Sequence, residues 1–314
     1  MKDQSTPIKD HLFDYLDWLE LEKGLSSNSQ KNYSNFLKSF FTFLKVNSLE
    51  ELKPNELTPD HIWKYRLFLS RQYKKNVTGS LKRSTQNHYL VALRSLLTYF
   101  IKRDIPSLPP DKVDIPKDSE EKKVNFLNLD QIEKLLQVPD TTTTIGLRDR
   151  AILETLFSTG LRIAELVALN KEQIAVKEKV SDLELVIVGK GNRTRPVYIS
   201  ERALVWLDKY LRVREDSEKA LFINYGGKNP LTRLTARSIE RMVKRYALMG
   251  GLPVTTTCHT LRHSFATDLL SKGADLRTVQ EFLGHKNVAT TQIYTHITKP
   301  HLREVHRTLH GIKS

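Results

Sequence analysis

A proline-rich stretch divides this chain into two parts, each of which shows helical periodicity. Between residues 106 and 124, four prolines alternate with charged residues and the hydrophobic periodicity stops. Proline lacks the N–H that a helix interior needs, and the residue before it prefers an extended backbone, so a helix cannot run through this segment. The 314 residues are also enough for two domains. We predict an N-terminal domain over 1–105, a semi-rigid linker over 106–124 and a second domain over 125–299.

The N-terminal part carries four segments with the 3.6-residue period of amphipathic helices. Each has a wide stripe of Leu and aromatic residues, which is more typical of a bundle core than of a binding site. Capping residues and a proline at a first helical position indicate where the helices begin. The predicted starts are His11, Asn28 or Ser29 as a cap, Thr58-Pro59, and Thr85 as a cap.

The second part is predicted to be helical around one β-hairpin. Leu183–Val188 is mostly β-branched and apolar, and a Gly-rich turn separates it from a second strand over Thr194–Ile199, which is typical of a hairpin. Pro196 places the second strand at a sheet edge or makes it begin late. The fold class is therefore mainly α with a small antiparallel β-sheet. The predicted helices span 129–136, 146–157, 201–212, 235–248, 261–270, 276–283 and 288–295.

The distribution of charge indicates a polyanionic partner. The chain has 50 Lys and Arg against 36 Asp and Glu, a net charge of +14, and residues 61–103 hold ten basic and no acidic residues. Residues 10–60 are instead rich in Asp and Glu, so one face is suited to phosphate and another is not. A merely solvated basic surface would normally include acidic residues. The predicted DNA contacts are Lys64, Arg71, Lys74, Lys75, Lys82, Arg83 and Arg94.

Other classes of protein are disfavoured by what the sequence lacks. No apolar run approaches the ~20 residues of a membrane span, and the polar residues 1–9 do not form a signal peptide, so a cytoplasmic location is expected. Cys258 is the one cysteine, which excludes an intrachain disulfide and a Cys-based zinc cluster. With no P-loop or carboxylate metal cluster in the sequence, neither a metal nor another cofactor is expected.

Two short segments carry arginines suited to an oxyanion. On a helix, His259, Arg262 and His263 share a face that we expect to line a cleft or meet solvent, since Leu261 and Phe265 point to the core. A guanidinium binds phosphate through two parallel hydrogen bonds. In Thr159-Gly160-Leu161-Arg162, a further arginine follows a glycine, and Glu165 lies one helical turn on. Arg162 and Glu165 could equally form a simple surface ion pair.

Three further residues are weak signals when taken alone. Lys190 lies at the hairpin tip between glycines, where a basic side chain is usually just solvated. His285 follows Leu283-Gly284, and Tyr294 lies nine residues further on. A lone tyrosine on a late helix would ordinarily be a packing residue.

Together, and in this order, these segments resemble the tyrosine recombinase and phage integrase family, and most closely its Xer-type members. The resemblance covers nearly the whole chain and matches the family pattern at each catalytic position. These positions are Arg162, Glu165, Lys190, His259, Arg262, His285 and Tyr294.

The resemblance implies a chemistry for each of these residues. Tyr294 would attack the DNA phosphodiester, with His259 as base or proton partner and Lys190 as the acid for the leaving sugar oxygen. The two arginines would neutralise the phosphate, His285 would donate to a non-bridging oxygen, and Glu165 would orient the site. A phosphotyrosine ester conserves the energy of the broken bond, so neither ATP nor metal is needed.

The resemblance also implies an architecture and partners. An N-terminal helical DNA-binding bundle of the SAM-like type and an α+β catalytic domain would grip opposite sides of a DNA duplex. The expected partners are double-stranded DNA with paired half-sites, a homotetramer or heterotetramer on two duplexes, an optional accessory protein and no membrane, on the nucleoid in the cytoplasm. The tail over 300–314 carries an apolar stripe and begins at Pro300; it is expected to contact a neighbouring subunit or to fold back on its own domain.

Three other functions remain open from the sequence. The catalytic residues suit both an Xer-like resolvase of chromosome or plasmid dimers and the integrase of a mobile element. A DNA-binding relative without catalysis would lack a Tyr or Arg of the motif, and each of them is present. A type IB topoisomerase shares the chemistry, but the short length and the Xer resemblance disfavour it.

Overall fold

The computed structural model describes residues 5–71, 81–116, 125–174, 182–189, 194–227 and 229–284. The chain divides into two compact units, residues 1–121 and 122–314. Each unit buries its own hydrophobic core. Among the described residues, the structure contains no helix that combines the length and the apolar character needed to cross a bilayer.

The described part of the first unit is a bundle of four α-helices, as predicted. These are α1 (Leu12–Leu21), α2 (Ser27–Val46), α3 (Pro59–Arg71) and α4 (Arg83–Lys102). Their apolar stripes meet in a core dominated by aromatic side chains, and Phe40 and Tyr65 lie there with ring centroids 5.0 Å apart. Such edge-to-face pairs add about 1 kcal/mol to the burial of their surface.

The predicted caps of two of these helices were wrong. Helix α2 begins at Ser27 and α4 at Arg83, so the hydroxyl and amide side chains expected to cap them lie inside the first turn. In both helices a glutamine secures the start instead. Gln30 donates to the carbonyl oxygen of Leu25 at 3.0 Å, and Gln86 to that of Leu81 at 2.8 Å.

The described half of the proline-rich segment packs on the first unit. Leu108 and Val113 are buried in its core, and the Arg94 Nε donates to the carbonyl oxygen of Pro110 at 3.1 Å. No α-helix runs through residues 106–116, as the prolines predict, but these residues are part of the bundle and not a free strap. Residues 117–124 of the predicted linker lie outside the described residues.

The second unit places helices around a two-stranded hairpin. In chain order it contains α5 (Leu129–Gln137), α6 (Thr144–Thr159), α7 (Ile163–Ala168), β1 (Asp182–Val188), β2 (Thr194–Ser200), α8 (Glu201–Arg212), α9 (Ala236–Met249), α10 (Cys258–Ser271) and α11 (Leu276–Leu283). The strands pair antiparallel with Val186 opposite Pro196. In this sheet, which has two strands among the described residues, β2 is an edge strand, as Pro196 predicts.

The helices confirm the sequence periodicity, with two differences. Helix α10 begins at Cys258, three residues earlier than predicted, because Thr257 accepts a hydrogen bond from the Thr260 N–H and caps it. The short α7 was not predicted, since six residues are too few to show a period. The predicted helix over 288–295 lies outside the described residues.

Helix α6 is the centre of the second unit. It packs against α8 and α10, and most of its residues are buried. Its buried charges are paired: Arg150 donates to Glu154 at 2.7 Å, and Tyr246 on α9 donates to Asp149 at 2.8 Å. Burying such groups unpaired would be costly. These pairs fix α6, and therefore the turn at Gly160 that follows it, against its neighbours.

Candidate active site

The first cluster lies at the start of α10. His259 and His263, one turn apart, meet edge to face with ring centroids 4.3 Å apart. Arg262 was expected to face a cleft or solvent, but it is only 3% exposed, so that expectation was wrong. Its side chain points inward because backbone oxygens accept from it: the carbonyl of Gly160 at 2.5 Å and that of Leu283 at 2.6 Å.

Gly160 makes this inward arginine possible. It closes α6 in the left-handed conformation, with φ of +59°. A Cβ at this position would lie 2.4 Å from Cδ1 of Phe265 on α10, closer than real atoms approach. Glycine is therefore required both by the backbone conformation and by the contact with α10.

Arg162 and Glu165 form the cap of α7 directly after this turn. The Arg162 backbone N–H donates to Glu165 Oε2 at 2.8 Å, and Arg162 Nη1 donates to Glu165 Oε1 at 3.0 Å. The Arg162 side chain is 38% exposed, whereas that of Glu165 is 6% exposed. The alternative of a simple surface ion pair is therefore wrong, because the carboxylate is buried.

A second arginine on Glu165 was missed by the sequence analysis. Arg195, on β2, donates to both oxygens of Glu165, at 2.9 and 2.7 Å. Its side chain is on the buried face of the strand, the face that it shares with Val197 and Ile199. A basic residue on the apolar face of an alternating strand is the signal that could have revealed it, since a buried charge needs a partner.

These arginines determine the ionisation of Glu165. Burial alone would raise the pKa of its carboxyl group. The hydrogen bonds from Arg195 and Arg162 outweigh that effect and hold the pKa at about 2. Glu165 is consequently a carboxylate at neutral pH, and it is shared between two guanidinium groups.

Three arginines converge on the C-terminal end of α11. Three successive carbonyl oxygens of that end accept from them: Phe282 from Arg195 at 3.1 Å, Leu283 from Arg262 at 2.6 Å, and Gly284 from Arg162 at 3.1 Å. The last carbonyls of a helix have no partner within it and carry a partial negative charge. The arginines satisfy these groups and compensate that charge, and so tie α11 to α7, α10 and β2.

The site has a net positive charge beside neutral histidines. Arg162 and Arg195 contact the carboxylate of Glu165, and Arg262 joins them at the end of α11, so these four described side chains carry more positive than negative charge. Desolvation of the ring, and then the charges of Arg262 and Arg162, lower the pKa of His259. Burial, His259 and Arg262 lower the pKa of His263 to about 4. Both imidazoles are therefore neutral at neutral pH.

The sequence of this chain matches two protein-family models and several curated proteins. The model of the phage integrase family matches residues 125–301, and that of the phage integrase N-terminal SAM-like domain matches residues 12–104. The tyrosine recombinase XerD of Lacticaseibacillus casei is 35% identical over 304 residues, which cover 95% of this chain and 97% of that protein. XerD of Listeria monocytogenes serovar 1/2a is 36% identical over 316 residues, with 96% and 99% covered.

This chain belongs to the phage integrase family of tyrosine recombinases. The predicted family, its Xer type and its activity of site-specific DNA recombination are confirmed. A crystal structure of the XerH site-specific recombinase bound to difH substrate, a pre-cleavage complex, shares the fold. It is 24% identical with a TM-score of 0.68, and the match covers 98% of this chain and 91% of that chain.

Four of the seven catalytic residues predicted for the recombinase lie among the described residues. The structure brings Arg162, Glu165 and Arg262 together near the end of α11, and His259 lies on α10 three residues before Arg262. The other three, Lys190, His285 and Tyr294, lie outside the described residues. Their roles stay predictions.

The basic residues of the first unit do not all present free charges. Arg71, at the end of α3, and Lys82 and Arg83, at the start of α4, are exposed. Lys64 pairs with Asp60 at 2.7 Å, and Arg94 is half-buried and holds Pro110. Lys74 and Lys75 lie outside the described residues.

A second basic surface of the recombinase was missed by the sequence analysis. Helix α9 buries Ile239, Val243 and Tyr246 and exposes basic side chains on its outer face. The signal was available, because basic residues at spacings of three and four alternate with the buried set. The exposed basic residues are Arg237, Arg241, Lys244 and Arg245.

Proposed function

We propose that this recombinase cuts and rejoins DNA through a covalent bond between Tyr294 and a 3′-phosphate. The observation that supports this most is the meeting of Arg162 and Arg262 at the end of α11, where Arg162 also pairs with Glu165. A phosphodiester repels nucleophiles through its negative charge, so a catalyst must neutralise that charge in the transition state. Two arginines held by backbone carbonyls are preorganised for this task.

The proton transfers follow from the ionisation of the site. The Tyr294 oxygen forms a bond to phosphorus while the bond to the 5′ oxygen breaks. A tyrosine with an ordinary pKa near ~10 must lose its proton as it attacks. His259 must be neutral to accept that proton, and its lowered pKa favours the neutral ring. Lys190 protonates the departing 5′ oxygen, and His285 donates to a non-bridging oxygen.

Reversal of the same steps rejoins the strands. A 5′-hydroxyl from another strand attacks the phosphotyrosine ester and releases Tyr294. The number and type of phosphate ester bonds are unchanged, so the exchange needs no ATP, metal or other cofactor. Glu165, held by Arg162 and Arg195, keeps its place throughout as an orienting carboxylate.

The partner is double-stranded DNA with paired half-sites. The exposed cations Arg71, Lys82 and Arg83 of the first unit and the basic face of α9 in the second support contact of both units with the duplex. Exchange between two duplexes needs four active sites, which implies a homotetramer or heterotetramer, with an accessory protein as an optional partner. The tail over 300–314 would link neighbouring subunits.

The biological role that we propose is Xer-like resolution of chromosome or plasmid dimers. Its support is the match with XerD proteins over nearly their whole length. Integration of a mobile element uses the same chemistry and is the second candidate. Mapping the preferred target decides between them: a site in the host chromosome favours resolution, and a site at the ends of the element favours integration.

Trapping the covalent intermediate tests the chemistry. A nicked substrate that loses its 5′ strand after cleavage should leave wild-type protein attached to DNA in a denaturing gel. Tyr294→Phe removes only the hydroxyl and should bind DNA but form no adduct. Tyr198→Phe is the matched control, since Tyr198 is exposed on β2 and should keep the adduct. An undiminished adduct with Tyr294→Phe would refute the proposed nucleophile.

A further inference from the structure

Arg195 is closely engaged in this site, although no motif contains it. It donates two hydrogen bonds to Glu165 and a third to the Phe282 carbonyl oxygen, at 3.1 Å. Its side chain is 9% exposed, so these bonds are made away from bulk water. A bidentate pair in such surroundings is strong and fixed in geometry.

We propose that Arg195 is a positioning residue that keeps the charge of Arg162 available for the scissile phosphate. The inference rests on the proposed function, in which Arg162 contacts that phosphate. Arg195 acts through Glu165 and through the end of α11, and not by touching DNA.

The first step of the argument is the charge balance at Glu165. Arg162 and Glu165 alone would form a neutral pair, because Arg162 Nη1 lies 3.0 Å from Glu165 Oε1. Arg195 adds a second positive charge to the same carboxylate, so the three groups together carry a net charge of +1. The charge of Glu165 is then divided between two guanidinium groups, and Arg162 keeps more of its attraction for an anion.

The second step is the position of the α11 end. Gly284 packs on the Arg195 side chain so closely that a Cβ there would lie 2.9 Å from Arg195 Cδ. The carbonyl oxygen of the same Gly284 accepts from Arg162 Nη2 at 3.1 Å. Arg195 therefore fixes the position of the Gly284 backbone, whose carbonyl oxygen accepts from Arg162. Both hydrogen-bond acceptors of the Arg162 guanidinium, Glu165 and Gly284, are thus in contact with Arg195.

The test compares two substrates that differ in charge. In a methylphosphonate, a methyl group replaces one non-bridging oxygen of the scissile phosphate and removes its negative charge. We expect Arg195→Ala to slow formation of the covalent adduct on the ordinary phosphodiester about 10- to 100-fold, less than loss of a direct oxyanion contact. On the methylphosphonate, the same variant should fall behind wild type by only a few-fold.

Arg150→Ala is the matched control for the loss of a buried arginine. Arg150 lies in the same unit, is 7% exposed, and donates to a glutamate and to a backbone carbonyl oxygen, as Arg195 does. Below its melting temperature, Arg150→Ala should cleave both substrates at equal fractions of the wild-type rate. A loss with Arg195→Ala that is equally large on both substrates would overturn the proposal, because it would indicate a structural role only.

A double variant tests whether Arg195 acts through Glu165. In a Glu165→Gln background the carboxylate charge is gone. Adding Arg195→Ala should therefore slow adduct formation by a clearly smaller factor than it does in the wild-type protein. If the fold-loss in the rate of the double variant equals the product of the fold-losses of the two single variants, the proposal is overturned. If Arg195→Ala does not fold, Arg195→Lys carries the test: its remaining loss should again shrink on the methylphosphonate, and an equal loss on both substrates decides against it.

Arg162→Ala separates this inference from the proposed function. If Arg162→Ala cleaves the phosphodiester as fast as wild type, the proposed function fails. If Arg162→Ala is slow and Arg195→Ala is as fast as wild type, only the role of Arg195 is refuted.

Discussion

The side chain of Arg262 donates a 2.5 Å hydrogen bond to the carbonyl oxygen of Gly160, 102 positions earlier in the chain. The bond joins the two motifs of the site: the turn that carries Arg162 and the helix that carries His259. Since the arginine is buried, this contact and the one to Leu283 compensate for its lost hydration. Gly160 of the first motif is thus a hydrogen-bond acceptor for Arg262 of the second.

Gly160→Ala is expected to disrupt this junction. Its added Cβ would meet Phe265 at 2.4 Å, and its φ of +59° is unfavourable for any residue with a side chain. Strain and overpacking together should lower the free energy of unfolding by about 2 to 4 kcal/mol. Calorimetric melting would show this as a drop of several degrees in the transition of the second unit, with slower adduct formation below it.

Gly251→Ala is the control for backbone strain without the clash. Gly251 lies in the same unit with φ of +62°, and the nearest atom to an added Cβ is the flexible Lys134 Nζ at 3.7 Å. It should cost only about 1 to 2 kcal/mol. Equal losses for the two variants would mean that the contact with Phe265 is unimportant.

The sequence was sufficient for the residues whose role follows from a motif, and insufficient for those defined by tertiary contacts. The motifs identified Arg162, Glu165 and Arg262, which the structure brings together. The inward direction of Arg262 was not predictable, because a helical pattern assigns polar residues outward and cannot show which carbonyls a fold leaves unpaired. Arg195 was missed for the same reason, since its acceptors lie 30 and 87 positions away.

The fold shows the same division. The helices of the bundle were predicted because Leu and aromatic stripes repeat over many turns. The starts of α2 and α4 were not, since several residues near each start can cap a helix and packing selects among them. The proline-rich segment was correctly separated from helix, but its packing through Leu108 and Val113 depends on a bundle surface that the local sequence does not show.

Mild acid should destabilise the second unit through His263. Burial lowers the pKa of its ring from 6.5 to about 4 in the folded protein. Between these values the unfolded chain binds a proton that the folded chain does not, so stability falls as the pH decreases from 6.5 to 4. The loss should be on the order of 2 to 3 kcal/mol. Melting temperatures measured across this range should fall less steeply for His263→Gln; a curve parallel to wild type would contradict the assignment.

Glu165 should affect the stability of the second unit in a separate and lower pH range than His263. Its pKa falls from 4.5 to about 2 on folding, so its stabilising contribution is complete above pH 4.5 and is lost as the pH decreases towards 2. Glu165→Gln should cost roughly 3 kcal/mol at neutral pH and flatten the acid-unfolding curve only below pH 4.5. Urea titrations at a series of pH values measure both effects. An unchanged slope below pH 4.5 would show that the carboxylate is not stabilised by its two arginines.

The basic stretch of the first unit should determine how DNA affinity depends on salt. Contacts of Lys74, Lys75, Lys82 and Arg83 with phosphate would release counterions, so replacing all four by Ala should reduce the slope of log affinity against log salt by up to about 3 to 4. Lys23→Ala combined with Lys45→Ala, in the acidic part of the same unit, should leave the slope unchanged. If the fourfold variant and the wild type have equal slopes, these basic residues form only a solvated surface and do not contact phosphate.

Helix α9 should contribute sequence preference and not only affinity. Arg237 and Arg241 lie one turn apart on its exposed face, and paired N–H donors of arginine suit the O6 and N7 acceptors of guanine in the major groove. Replacing each by Ala should weaken binding to the preferred half-site by about 1 to 3 kcal/mol per lost base contact, and binding to random DNA much less. Arg212→Ala is the control, since Arg212 is exposed on α8 and pairs with Asp208 at 2.7 Å. Competition titrations with preferred and random duplexes at fixed salt measure the ratio of the two affinities. A uniform loss on both duplexes would assign the two arginines to the phosphate backbone, and no loss on either would place α9 away from DNA.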